Sequence, residues 1–150
     1  MSQAHAEASG VVNAPPSVVY ATLADYRIGH PKVLPKPYFS DIVVEAGGQG
    51  AGTEFRVTVR VLGTETKYHM RVAEPQPGRV LSETDLTTGL TTTFTVESLD
   101  GGQRSRVTIA TDWISRGGLA GYAERLLTPF FMRRIYARQL RQMDEVIARQ

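Results

Sequence analysis

The sequence predicts one α+β domain whose elements run strand, two short helices, six further strands and a single long helix. Three observations predict it. Apolar and polar residues alternate in short runs between residues 54 and 115, the period-2 signature of strands with one face buried. The segment from Leu119 to Arg149 carries a helical apolar period instead. A length of 150 residues fits one domain with one core, large enough to bury roughly two thirds of the surface its unfolded form would expose.

Ala4 to Asn13 is rich in small and β-branched residues and forms the first strand. Ala14-Pro15-Pro16-Ser17 ends it and opens a helix with proline near its first turn. Val18, Val19, Ala21, Thr22, Leu23 and Ala24 make that helix short and apolar on one side, and it stops by Asp25 to Gly29. His30-Pro31 and Lys36-Pro37 bracket an irregular stretch with a second short helix, and Ser40 to Ala46 resumes strand character.

Glu54 to Leu62 places Phe55, Val57, Val59 and Val61 on one face and Glu54, Arg56, Thr58 and Arg60 on the other. Gly63-Thr64 turns the chain, and Lys67 to Ala73 sets Tyr68, Met70 and Val72 opposite Lys67, His69 and Arg71. Pro75-Gln76-Pro77-Gly78 is a strong break. Arg79 to Thr84, Leu90 to Leu99 and Arg104 to Ser115 follow as strands, the last two joined by the turn Asp100-Gly101-Gly102. In the final strand Val107, Ile109, Thr111 and Trp113 share a face. Gly117-Gly118 closes the β region. The helix beyond it would span ~45 Å, interrupted only by Pro129. Met132, Ile135, Tyr136, Leu140, Met143, Val146 and Ile147 fall on one arc of it, opposite Arg134, Arg138, Arg141 and Glu145, so the helix lies on something apolar.

Composition excludes several functions. Apolar content of 41% and charged content of 21% belong to a soluble globular chain, and no apolar run approaches the ~20 residues needed to cross a bilayer. The start, MSQAHAEASG, has neither a basic n-region nor an apolar h-region, so cytoplasm is the expected compartment. With no cysteine, disulfides, thiolate catalysis and cysteine-type zinc sites are excluded. The formal net charge is only +2, and 14 arginines against 3 lysines are spread with no run longer than Arg133-Arg134. A solvated surface is expected rather than a nucleic-acid partner.

Residues 47 to 52, GGQGAG, pose the question of a phosphate loop. Such a loop needs a helix after it, because the free N–H groups of the helix N-terminus hold the anion. Here Thr53-Glu54-Phe55-Arg56-Val57 continues as a strand, no Gly-Lys-Ser/Thr ending follows, and the GxGxxG reading lacks its third glycine. The stretch is a hairpin connection. No HExxH, clustered histidine and carboxylate spacing, or GxSxG elbow is present, so neither a metal nor another cofactor is expected.

Val12-Asn13-Ala14-Pro15-Pro16-Ser17-Val18-Val19-Tyr20 running to Leu23-Ala24-Asp25-Tyr26, the Gly50-Ala51-Gly52-Thr53 turn into a strand, and the terminal helix from Gly118 to Arg149 carry a resemblance. In this order, over nearly the whole chain, they resemble the START-like, or Bet v 1-like (SRPBCC), superfamily, most closely its polyketide cyclase/dehydrase and lipid-transport branch. Members often carry an aromatic stretch with tryptophan after the first helix, where this chain has Gly29-His30-Pro31-Lys32-Val33-Leu34. The resemblance implies a helix-grip fold, a curved antiparallel sheet wrapped round the C-terminal helix with a ligand cavity between them. The residues support this independently. Several apolar strand faces need covering, only one long helix is available, and a curved sheet under a straight rod leaves space of the kind that takes apolar ligands.

The expected ligand contacts are Tyr26, Phe55, Val57, Val59, Tyr68, Met70, Phe94, Trp113, Leu126, Phe130, Arg133, Tyr136, Gln139 and Leu140. Gln139 lies within the helix's apolar arc and Arg133 at its edge, where a buried polar group needs a partner that a ligand oxygen supplies. His30, beside Tyr26 in a loop at the expected cavity mouth, is the candidate general acid or base. His5 and His69 are expected at the surface. Asp25, Asp85, Asp112 and Glu54 are weaker candidate acids. Leu126 to Met132 is apolar on nearly every side. Leu127 and Phe131 either enter the core as a cavity lid, the preferred reading, or form a patch beside Arg133 and Arg134 that meets a membrane or a second subunit. The expected function is binding of a small, largely apolar molecule, a lipid, polyketide or isoprenoid. The alternative is a polyketide cyclase/dehydratase-like enzyme using the same cavity.

Overall fold

The computed structural model describes residues 2–61, 63–115 and 117–150. Its elements are β1 (Ser2–Val12), α1 (Pro16–Ala24), α2 (Gly29–Val33), β2 (Phe39–Ala46), β3 (Glu54–Val61), β4 (Thr64–Gln76), β5 (Val80–Asp85), β6 (Thr91–Leu99), a 3-10 turn at Asp100–Gly102, β7 (Arg104–Ser115) and α3 (Gly118–Ala148). All strand pairs are antiparallel, and the sheet order is β1-β7-β6-β5-β4-β3-β2. From β2 to β7 each strand therefore pairs with its neighbour in sequence, and β1 returns to pair with β7. The helix-grip architecture is the one expected, with α3 held against the concave side of the sheet.

The inward face of β1 is made of Ala4, Ala6, Ala8, Gly10 and Val12, alternating with outward His5, Glu7 and Ser9. Small side chains let a helix come close, and α3 makes its densest contacts with this strand. A Cβ built on Gly10 would stand 3.3 Å from Leu140 Cδ1, so the absence of a side chain there sets how near α3 lies. The helix consequently rests along the β1 edge. Below its C-terminal half Met143 and Ile147 fill a packed core with Val12, Val19, Leu23 and Val107. Its N-terminal half faces the opposite limb of the sheet at a distance.

The short helices are fastened by backbone as much as by packing. Gly29 lies beneath α1, where an added Cβ would meet the Thr22 carbonyl oxygen at 2.5 Å. The GGQGAG segment is a turn between β2 and β3, and its backbone clamps the α1–α2 junction. Tyr26 N–H donates to the Gly48 carbonyl, and Gly50 N–H donates to the Ala24 carbonyl, each at 2.9 Å. From the other side Gln142 of α3 donates to the carbonyls of Lys32 and Leu34 at 2.8 and 3.2 Å.

Two features differ from expectation. β4 runs through Pro75 to Gln76, although the prolines there signal a break. Its register against β5 shifts between Ala73 and Gln76, and an irregular ladder position is where a strand tolerates proline. Helix α3 is one continuous helix, as its expected length requires, without the interruption expected at Pro129. The expected end of β3, Leu62, lies outside the described residues. Among those residues no helix is long and apolar enough to cross a membrane.

Two outcomes follow from this packing. Gly29→Ala forces α2 away from α1 and lowers stability by ~1–3 kcal/mol in urea denaturation; unchanged stability would show that the close approach is not required. On the outer surface His5 bridges β1 and β7, its ring bonded to Asp112 and Glu7 at 2.7 Å each. The Asp112 bond, then the Glu7 bond, raise the His5 pKa above 6.5. The stabilisation is fully present below the unfolded pKa of about 6.5 and fades as pH rises through the higher folded value. An NMR titration of His5 gives a midpoint above 6.5 that falls in Asp112→Asn.

Candidate functional site

The gap between the N-terminal half of α3 and strands β3 to β7 is a cavity of about 270 Å³. Its sheet side is formed by Val57, Val59 and Val61 of β3, Tyr68 and Met70 of β4, Phe94 of β6 and Trp113 of β7; Phe131, Met132 and Ile135 come from α3. Leu34 and Phe39 close the side near α2, and Leu90 the turn before β6. Near the start of α3, Trp113 Nε1 donates to Glu124 Oε1 at 3.2 Å, tying the helix to the end of β7.

One band of the wall is polar. Glu83, Thr92 and Thr111 are cross-strand partners on β5, β6 and β7, so the sheet sets them side by side. The Thr92 and Thr111 hydroxyls are 2.7 Å apart, and Thr111 in turn bonds the Tyr136 hydroxyl of α3. Burial pushes the Tyr136 phenol up to about 12, against the lowering effect of the Thr111 and Thr92 bonds, so it stays protonated. Gln139, one turn further along α3, is 2% exposed and lines the same space. Its amide has no hydrogen bond to any of the described residues.

Behind Glu83 stand Tyr26 and His30. The Tyr26 hydroxyl donates to Glu83 Oε2 at 2.7 Å, and His30 Nε2 lies 3.2 Å from the same oxygen. His30 Nδ1 is 2.8 Å from the Leu23 carbonyl oxygen, which only accepts, so Nδ1 carries the proton. The His30 ring stacks on Tyr26 with centroids 4.4 Å apart and meets Phe94 edge-on at 5.4 Å; Tyr26 stacks on Phe55 from its other side. Burial raises the Glu83 pKa, while the His30 charge and then the Tyr26 hydrogen bond pull it down. Burial, followed by the neighbouring Glu83 charge, takes the Tyr26 phenol well above its ordinary 10, which keeps it a donor.

The expected contacts divide into three sets. Val57, Val59, Tyr68, Met70, Phe94, Trp113, Tyr136 and Gln139 line the cavity. Tyr26, Phe55 and Leu140 are buried behind the lining. Leu126 and Phe130, at 59% and 49% exposure, face outward, as does Arg133. His30 is not in a loop at the mouth. It sits in α2 at 2% exposure, because Gly29 brings that helix under α1. The Leu126–Met132 segment does both things considered for it: Phe131 lines the cavity, whereas Leu127 is 59% exposed. The weaker candidate acids serve the scaffold. Asp25 accepts the Arg27 and Ile28 N–H groups at 3.2 Å each, and Asp85 accepts the His69 N–H and both Thr88 donors. Asp112 binds His5, and Glu54 lies against His69 and Arg71.

Glu83 was missed from sequence. Its signal was present: Leu81, Glu83 and Asp85 share one phase of β5, all three buried, so a carboxylate occupies an inward position.

The profile of the polyketide cyclase/dehydrase and lipid transport family matches residues 3–148. No curated protein sequence matches the chain. Among solved structures, the KanY protein is 28% identical, with 99% of each chain covered and a TM-score of 0.84. The ZhuI aromatase/cyclase of Streptomyces sp. R1128 is 21% identical, over 99% of this chain and 95% of that one, with a TM-score of 0.80. A START superfamily protein of Mycobacterium smegmatis shares the fold at 12% identity, 97% coverage of both chains and a TM-score of 0.74.

The buried pair makes a measurable prediction. His30→Leu removes one partner and leaves the Glu83 carboxyl without it, at a cost of ~3–5 kcal/mol in urea denaturation. The double variant His30→Leu/Glu83→Leu recovers part of that loss, since no unpaired charge remains. Equal stability of the single variant and the wild type would show that the pair is not coupled.

Proposed function

The chain belongs to the polyketide cyclase/dehydrase and lipid transport family, and from that premise we propose that it binds a small, largely apolar molecule in the cavity between α3 and β3–β7. The observation that carries this reading is the form of the cavity: apolar over most of its wall, with the Gln139 amide facing it and bonded to none of the described residues. A buried amide without a partner costs ~1–3 kcal/mol, a loss that a ligand oxygen or hydroxyl reverses. At about 270 Å³ the space falls just below the usual ligand-site range of ~300 to 1,000 Å³. That favours a compact polyketide or isoprenoid over a long acyl chain.

A second reading, conversion of the ligand by a cyclase or dehydratase step, is favoured by Glu83, a carboxyl on the cavity wall with an imidazole and a phenol behind it. In that case Glu83 is the catalytic residue and His30 a positioning residue, because Glu83 stands between His30 and the cavity. A bound compound that returns dehydrated, or as an isomer of the same mass with altered retention and ultraviolet spectrum, after incubation with wild type, and unaltered with Glu83→Gln, would establish it.

Thermal shift and native mass spectrometry against lipids, aromatic polyketides and isoprenoids test the binding reading. A ligand at 100 times its Kd adds ~2.7 kcal/mol, or about 5–10 °C in Tm for a chain of this size. Val59→Trp, which fills the cavity from β3, abolishes the shift while the protein remains folded. No stabilisation by any of the three classes would defeat the proposal.

A further inference from the structure

We propose that Glu83 Oε1 is a hydrogen-bond acceptor reserved for the ligand, and that the cavity therefore selects neutral molecules bearing a hydroxyl group over ethers and carboxylates of the same shape. This rests on the binding reading above and names the ligand chemistry within it. Glu83 is on the cavity wall, and its two oxygens are used unequally. Oε2 takes the Tyr26 hydroxyl at 2.7 Å and lies 3.2 Å from His30 Nε2. Oε1 has no hydrogen bond to any described residue.

The protonation of the cluster decides what Oε1 can do. The Leu23 carbonyl holds the His30 proton on Nδ1. His30 Nε2, 3.2 Å from Oε2, is then either an imidazolium N–H beside a carboxylate or an imidazole lone pair beside a carboxylic O–H. In the first, Oε1 is a carboxylate oxygen; in the second, the carbonyl oxygen of the acid. Both leave Oε1 without hydrogen, so the ligand atom opposite it must donate. The Tyr26 phenol, kept protonated by burial, is committed to Oε2 and cannot turn to serve the ligand as well.

An apolar skeleton carrying a hydroxyl satisfies this geometry, with the Gln139 amide free to donate to or accept from a second oxygen. An ether presents only lone pairs to Oε1. A carboxylate ligand presents lone pairs and a negative charge toward the Glu83 carboxyl, whose contact with His30 is already closed on itself.

Matched probes on one ring system separate these cases: 2-naphthol, 2-methoxynaphthalene and 2-naphthoate, measured by isothermal titration with wild type and with Glu83→Gln. Wild type is expected to bind 2-naphthol at least 10-fold more tightly than 2-methoxynaphthalene, with 2-naphthoate weakest. In Glu83→Gln, whose amide can donate as well as accept, the preference for naphthol over the methyl ether shrinks to under threefold. Equal binding of naphthol and its ether by wild type, or naphthoate binding tightest, overturns the inference and leaves the binding reading standing. Binding of none of the three overturns the inference, and the binding reading is then decided by the screen of lipids, aromatic polyketides and isoprenoids.

Discussion

Close contact between α3 and the small-residue face of β1 is the constraint on which the rest of the structure depends. Alanines at 4, 6 and 8 and glycine at 10 let the helix approach one limb of the sheet, with Leu140 Cδ1 only 3.3 Å from where a Cβ on Gly10 would stand. A straight helix drawn to one edge of a curved sheet cannot also touch the far limb. The C-terminal half of α3 meets the packed core through Met143 and Ile147, whereas its N-terminal half spans open space toward β3 and β4. The cavity is thus a consequence of asymmetric helix seating, and the large side chains of β3, β4 and β6 narrow it without closing it.

The cluster of Tyr26, His30 and Glu83 joins this cavity to the short helices. Tyr26 is set by the β2–β3 turn, whose Gly48 carbonyl takes its backbone N–H, and His30 by the approach of α2 under α1. Glu83 arrives from the middle of the sheet on β5. Two distant stretches of chain, the α1–α2 junction and β5, therefore converge on one oxygen. A buried carboxyl of this kind is retained at a desolvation cost, so its orientation toward the ligand space carries the chemical interest of the site. The GGQGAG turn, which holds no phosphate-loop geometry, contributes by fixing where the Tyr26 ring stands.

The first turns of α3 serve two environments at once. Phe131, Met132 and Ile135 face the cavity, while Leu126, Leu127 and Phe130 face outward, Phe130 beneath the Arg134 guanidinium at 5.9 Å. The segment is apolar all round because it has a cavity on one side and a partly covered apolar surface on the other. An amphipathic projection drawn from the later turns, where Arg138 and Glu145 mark the solvent side, could not separate the two.

Most of the fold was legible in the chain because it rests on local regularities. Period-2 alternation from Glu54 to Ser115, the Ala14-Pro15-Pro16-Ser17 helix start and the long apolar arc ending at Ile147 each follow from backbone geometry acting on neighbouring residues, and they determine the elements, their order and the inward faces. Residues such as Val57, Tyr68, Phe94 and Tyr136 were placed on the cavity side for that reason. The position of His30 was not legible, since its burial depends on Gly29 meeting Thr22 and on Glu83 53 positions later in the chain. Nor was the divide between Phe131 and Leu127, which depends on how far α3 stands from the sheet. By itself the sequence determined which side chains point inward. Only the tertiary structure decided which of them touch and which face empty space, because a small offset of one helix over a curved sheet turns the same inward side chain from core into cavity wall.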